Sequence, residues 1–256
     1  MSALYGKSKS RMCEKPNRAK MLELRDRFWT EHNPNLENLL ELRYGWIKKH
    51  CHGIGIEIGS GLGLSQYYVP QLQMTDIVQY PWIHAKLDAM DMFFGDGEVR
   101  YIVANNVLHH FSHPAKFLKE CNRVLRRRGR VIVYDISAGW LMRRILNLMR
   151  HEGYDYSRDV WGEEAVNDPD DPWSANCAVS NMLFGDHEKL ENETGLRVVH
   201  DSYAECLSFL LSGGVNYRTF RPPLTRGMLK IVNMLDEVIT KWPAMALQRR
   251  VVLEKT

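Results

Sequence analysis

The chain is short of the residues that would staple it together. Its five cysteines (Cys13, Cys51, Cys121, Cys177 and Cys206) are odd in number, widely scattered and form no C-x-x-C pair. That argues against a disulfide framework and a cysteine-built zinc site, and it fits a reducing compartment. Long apolar runs are missing too. The mostly apolar stretch Cys206–Leu211 is far too short to span a bilayer, and no other run comes close. The N-terminus is polar and basic, without the apolar core of a secretory signal. The chain therefore reads as cytoplasmic, and the sequon Asn192-Glu193-Thr194 carries no meaning. Neither sign of charge dominates: 34 Lys and Arg stand against 31 Asp and Glu, for a net charge of +3. That is too weak to argue for a nucleic-acid partner. The local knot Arg126-Arg127-Arg128-Gly129-Arg130 reads as a solvated helix end. Metal-ligand spacing is absent, and Asp168-Pro169-Asp170-Asp171-Pro172 reads as a solvated loop. Internal repeats and low-complexity segments are absent as well.

What remains is ordinary globular composition, with 45% hydrophobic and 25% charged residues. The length suits one α/β domain with a substantial cap. The stretch Ile54-Gly55-Ile56-Glu57-Ile58-Gly59-Ser60-Gly61-Leu62-Gly63 organises it. Ile54, Ile56 and Ile58 alternate like a buried strand. The glycines then turn into a short helical run, Leu62–Val69, stopped by Pro70. A strand that ends in glycines and opens a helix offers bare backbone N–H groups and a helix dipole to a ligand. A dinucleotide site wants G-x-G-x-x-G, but here the third glycine arrives one residue early.

Further along, helices are expected over Ala19–His32 and Leu36–His50, and strands over Met74–Val78, Tyr101–Ala104 and Val131–Asp135. Pro114 is placed to open a helix. Gly129 is the expected left-handed residue after it. Later strands are expected over Arg197–Tyr203 and Leu247–Glu254. Helical runs are expected over Leu141–Met149 and Leu229–Lys241.

The acidic-x-Gly-x-Gly-x-Gly pattern from Glu57 to Gly63 resembles the class I S-adenosylmethionine-dependent methyltransferases. So do Asp88-Ala89-Met90, the segment Asn105-Asn106-Val107-Leu108-His109-His110, and the helix ending Arg123-Val124-Leu125-Arg126, although Arg127-Arg128-Gly129 stands where the family has Pro-Gly-Gly. Four such segments occur in order over about residues 53–135. The small-molecule type is the better match, with core motifs like those of the ubiquinone and menaquinone biosynthesis enzymes. The resemblance implies a Rossmann-like, seven-stranded, mostly parallel sheet with helices on both faces and the last strand antiparallel. It divides a single domain, 1–256, into a tail and lid helices (1–52), a cofactor-binding core (53–135) and cap insertions (138–194 and 204–243).

The implied cofactor is S-adenosyl-L-methionine. Its expected contacts are Glu57, Gly59, Ser60, Gly61, Gly63, Asp76, Asp88, Ala89, Met90, Asn105 and Asn106. Asp76 takes the place of a ribose-binding acid about 20 residues after the strand tip, and Asp88 that of the adenine partner. His109 and His110 are the candidate bases, because imidazole titrates near neutrality, with His109 preferred. Tyr134, Asp135 and Trp140 are the candidates for the substrate side. The insertions hold Trp140, Tyr154, Tyr156, Trp161, Trp173, Phe184, Phe209, Tyr217 and Phe220. Such a lining would suit a small apolar or aromatic biosynthetic substrate. The alternatives are a non-catalytic cofactor-binding scaffold, or an RNA or protein methyltransferase, for which neither a basic face nor an N-P-P-Y-like segment is present. A homodimer remains open.

Overall fold

The computed structural model describes residues 18–149, 152–214 and 219–256. The expected tail, Met1–Arg18, lies outside them but for Arg18, as do Cys13 and Tyr217.

Two helices come first, α1 (Arg18–Thr30) and α2 (Pro34–His50). Asn33 caps α2 by accepting from the Leu36 N–H, and Pro34 fills the first turn, where no N–H is needed. The core then alternates: β1 (Gly55–Ile58), α3 (Ser65–Tyr68), β2 (Leu72–Asp76), β3 (Ala85–Lys86), β4 (Val99–Asn105), α4 (Pro114–Val124) and β5 (Leu125–Ile136). Next come α5 (Trp140–Met149), α6 (Val179–Leu183), α7 (His187–Thr194), β6 (Leu196–Ala204), α8 (Leu207–Leu210), α9 (Arg226–Ile239) and β7 (Gln248–Lys255). The seven strands form one sheet in the order β3-β2-β1-β4-β5-β7-β6. β7 alone runs against its neighbours. The order reverses between β1 and β4, the switch point where open α/β sheets bind ligands beyond their strand ends.

Strand periodicity divides the core in two. Val131 and Val133 pack with Phe117, Leu118 and Cys121 of α4 and Leu190 of α7. Ile132 and Tyr134, on the opposite face, pack with the stripes of α1 and α2, among them Met21, Leu24, Leu40 and Ile47. The four described cysteines are free and buried. Among the described residues no helix is long and apolar enough to cross a membrane.

Three local expectations are corrected. Ile54 lies outside β1 and is 69% exposed. β1 starts instead at Gly55, where a Cβ would come within 2.3 Å of the Tyr101 ring. The left-handed residue after α4 is Arg128, at φ +60°, not Gly129. Gly129 is needed for a different reason: a Cβ there would stand 2.7 Å from the Arg126 carbonyl oxygen. The stretch 138–194 is not all cap either, because α7 packs on β6 and α4 as a helix flanking the sheet.

Candidate functional site

The three glycines after β1 all take positive φ, +62° at Gly59, +48° at Gly61 and +66° at Gly63, a region that side chains disfavour. Their surroundings differ. A Cβ on Gly59 would lie 2.2 Å from the Val107 side chain, and one on Gly63 would lie 2.6 Å from the Trp82 ring. At Gly61 the nearest atom is the Met21 methyl at 3.8 Å. The outer glycines serve close packing, whereas at the middle one a Cβ would make only ordinary van der Waals contacts. Gly61 is nonetheless fixed on both sides. Its N–H donates to Asp76 Oδ2 at 2.9 Å, and its carbonyl accepts from Trp82 Nε1 at 2.8 Å. The Ser60 N–H donates to the Thr75 carbonyl at 3.0 Å, tying the loop to β2.

Two buried carboxyls hold the loop from behind. Glu57 accepts from the Ser65 hydroxyl. Burial pushes its carboxyl up to about 7, against the pull of the Ser65 and Ser60 hydrogen bonds. Asp76, at the tip of β2, is likewise raised by burial, while the N–H groups of Val78 and Gly61 pull it back. The Leu87 N–H donates to the Asp76 carbonyl at 2.9 Å, bringing the next segment to the same edge. There Asp88 is exposed and accepts from the Met90 N–H at 2.8 Å, with Ala89 buried behind it. β4 delivers Asn105 and Asn106 beside β1. Asn105 donates to the Tyr44 hydroxyl at 3.1 Å and accepts from Asn106 Nδ2 at 3.0 Å. Asn106 holds φ +51°, a conformation that asparagine tolerates better than most residues.

Residues that the sequence reading missed complete this edge. Arg25 of α1 donates to the Leu62 carbonyl and lies 4.6 Å over the Trp82 ring. α1 therefore touches the glycine loop through Met21 and Arg25. No motif signals this, because α1 precedes the glycine-bearing stretch and its contacts are purely spatial.

The histidines sit in a 3₁₀ turn, Leu108–His110, just past β4. His109 is buried, and its Nδ1 hydrogen-bonds Asp135 Oδ1 at 2.5 Å across the tips of β4 and β5. The turn's backbone is fastened as well: the His109 N–H donates to Asp135 Oδ2, and the His109 carbonyl accepts from the Asn176 N–H and Asn167 Nδ2. Burial alone would lower the His109 imidazole, but Asp135 outweighs it and raises the group to about 9. The direction of that shift favours the protonated ring, against the expected role of His109 as a base. His110 moves down, through burial and through the charge of His109. Glu152, which also escaped the sequence reading, reaches 3.8 Å from His109 Nε2.

The expected substrate-side residues do not stay together. Asp135 faces His109. Tyr134 is sealed under α2, its hydroxyl donating to Glu205 Oε1 at 2.7 Å beside the Arg43–Glu205 ion pair. Trp140 is half exposed on α5, against the Arg144 guanidinium. The aromatics scatter too: Phe184 is core and Phe220 is exposed. A cleft of about 500 Å³ beside the histidine turn has a mixed lining, more polar than apolar: Asp155, Arg158, Asn167, Ser174 and Asn176 alongside Tyr154, Val166 and Pro169.

Residues 56–133 match the family model of a methyltransferase domain, over the same segment as the motif resemblance. Several solved structures share the fold. A methyltransferase from Thermotoga maritima, described as a possible histamine N-methyltransferase, is 14% identical, with 93% of this chain and 98% of that one covered and a TM-score of 0.53. The geranyl diphosphate C-methyltransferase of Streptomyces coelicolor, solved with S-adenosyl-L-homocysteine, is 11% identical, with 86% and 82% covered and a TM-score of 0.51. An S-adenosylmethionine-dependent methyltransferase from Archaeoglobus fulgidus is 14% identical, with 86% and 93% covered and a TM-score of 0.50. No curated protein matches the chain by sequence.

Proposed function

We propose that this chain, whose fold is that of the class I S-adenosylmethionine-dependent methyltransferases, binds that cofactor at the glycine-loop edge and methylates a small molecule. The observation that carries the reading is Gly61. Its backbone is pinned by Asp76 and Trp82, while a Cβ there would meet no protein atom closer than the Met21 methyl at 3.8 Å. A ligand can therefore approach bare backbone there. In this reading Gly59, Ser60, Gly61 and Gly63 form the cradle, Glu57 and Asp76 hold it, and Asp76 also takes the ribose. Asp88, Ala89 and Met90 meet the adenine, and Asn105 and Asn106 flank the methionine portion.

The cofactor supplies a sulfonium methyl with a good neutral leaving group. What the protein must add is alignment of the acceptor, which is worth several kcal/mol on its own. The histidine turn lies four residues beyond Asn105, at the same edge, and the cleft beside it is more polar than apolar. That favours a small molecule with hydroxyl or other polar groups over the apolar one expected from aromatic content.

The test is a metabolite extract incubated with the protein and deuteriomethyl cofactor, read by mass spectrometry, with calorimetry against S-adenosylmethionine and NAD. The reading predicts labelled product and binding of S-adenosylmethionine alone. Cofactor binding with no labelled product would leave a scaffold. Binding of NAD alone would overturn the reading.

A further inference from the structure

The sequence has no metal motif, yet the fold gathers three ligand-bearing side chains from positions 109, 110 and 152. We propose that His109, His110 and Glu152 bind a zinc-class divalent cation with one coordination position left open. One ligand atom of each lies within 4.8 Å of the others, and His109 Nε2 stands 3.8 Å from Glu152 Oε2. Two ligands about 2.1 Å from one ion are at most about 4.2 Å apart. The His109–Glu152 span already fits, and a small side-chain rotation closes the rest.

The hydrogen bonds behind these ligands make the same case independently. Metal-binding histidines donate their second ring N–H to a carboxylate or a backbone carbonyl, which fixes the tautomer and aims the other nitrogen. Both histidines have such a partner. His109 Nδ1 meets Asp135 Oδ1 at 2.5 Å, and His110 Nδ1 meets the Ser174 carbonyl at 3.1 Å. A carbonyl only accepts, so the His110 hydrogen lies on Nδ1 and its Nε2 keeps a lone pair. Glu152 Oε2 in turn accepts from the Cys177 thiol at 3.4 Å. The turn that carries both rings is locked by Asn167 and Asn176. Each ligand is thus oriented by a group from another part of the chain.

Two imidazoles and one carboxylate form a donor set that catalytic zinc sites use with a fourth position free. Calcium and magnesium prefer all-oxygen sites. The site is reachable from one side, since the Glu152 side chain is 20% exposed while that of His109 is 3% exposed. The free position would take an oxygen of the acceptor, which points to a hydroxyl- or enol-bearing substrate. That last step rests on the methyl-transfer reading, whereas the ion does not.

The test is titration of the metal-free protein with Co²⁺, read by its visible d–d absorption and by displacement with Zn²⁺. The inference predicts one equivalent bound, weakened about 100-fold in His110→Ala and in Glu152→Gln, and about 10- to 100-fold in Asp135→Asn. His200→Ala, in the separate His50–His200 pair, should leave it unchanged, and circular dichroism checks folding. No absorption change up to millimolar Co²⁺, or equal binding in wild type, His110→Ala and Glu152→Gln, would overturn the site. Calorimetry with S-adenosylmethionine on the same samples separates the two ideas. Cofactor binding without Co²⁺ binding sinks the ion alone, and Co²⁺ binding without cofactor binding supports the ion while removing the reading above.

Discussion

The glycine loop after β1 and the histidine turn after β4 share one edge of one sheet, but they are held in opposite ways. The loop is built from backbone. Its shape comes from three positive φ angles and from main-chain bonds to Asp76, Trp82 and β2. All the glycines lie within five residues. The histidine turn is held by side chains that converge from Asp135, Glu152 and Asn167, with one backbone N–H from Asn176. A backbone cradle can bind the invariant part of a ligand with no charge of its own. A side-chain cluster carries charge, and it can vary without disturbing the sheet. The difference suggests a division of labour, with the common cofactor at the loop and the acceptor at the turn.

The largest effect that would sharpen this contrast is on the side-chain half. Removing one partner of a buried charge pair costs about 3–5 kcal/mol. Asp135→Asn should therefore lower stability in urea by about that amount. A loss below about 1 kcal/mol would mean that the backbone bonds to Asn167 and Asn176 hold the turn instead. The backbone half should respond through sterics. Gly59→Ala and Gly61→Ala carry similar φ strain, but only the first meets Val107. Gly59→Ala should be the less stable of the two by about 1–3 kcal/mol in thermal melts. Equal melting points would remove the distinction between packed and open glycines.

A pH experiment probes the carboxyl beneath the loop. Burial raises Glu57 from 4.5 to about 7, so the folded protein keeps a proton that the unfolded chain releases. That contribution to stability is complete below pH 4.5 and is lost as pH rises through 7. Glu57→Gln keeps an oxygen for Ser65 and removes the titration. The melting temperature of the wild type relative to Glu57→Gln should therefore fall across that window. A flat difference would put Glu57 in contact with water. The smallest effect is expected for Trp82→Phe, which loses the bond to the Gly61 carbonyl. That bond is worth about 1 kcal/mol, so cofactor affinity should drop a few-fold and melting by a few degrees.

The same contrast explains what the sequence disclosed. The strand-glycine-helix unit and the helix opening at Pro114 follow from local patterns: alternation, glycine spacing and a proline with no N–H to satisfy; the antiparallel β7 was expected only from the family resemblance. The placement of Glu57, Asp76 and Asp88 along one edge follows from the same units. Glu152, Cys177 and Arg25 were not legible, because their partners are distant in sequence and no local rule links positions 25 and 62, or 109, 152 and 177. Tyr134 misled for a related reason. Its position at a strand end suggested the substrate side, but strand alternation turns it onto the α2 face, where Glu205 accepts from its hydroxyl and Arg43 lies over its ring.

Cofactor binding against the uncrowded backbone of Gly61 is the central claim, and calorimetry of S-adenosylmethionine binding to Gly61→Val tests it most directly. The nearest protein atom a Cβ would meet is 3.8 Å away, so the variant should fold with only the strain of a positive φ, about 1–3 kcal/mol. Its cofactor affinity should fall at least about 100-fold, or close to 3 kcal/mol. A folded Gly61→Val that binds S-adenosylmethionine as tightly as the wild type would contradict the account and move the cofactor away from the glycine loop.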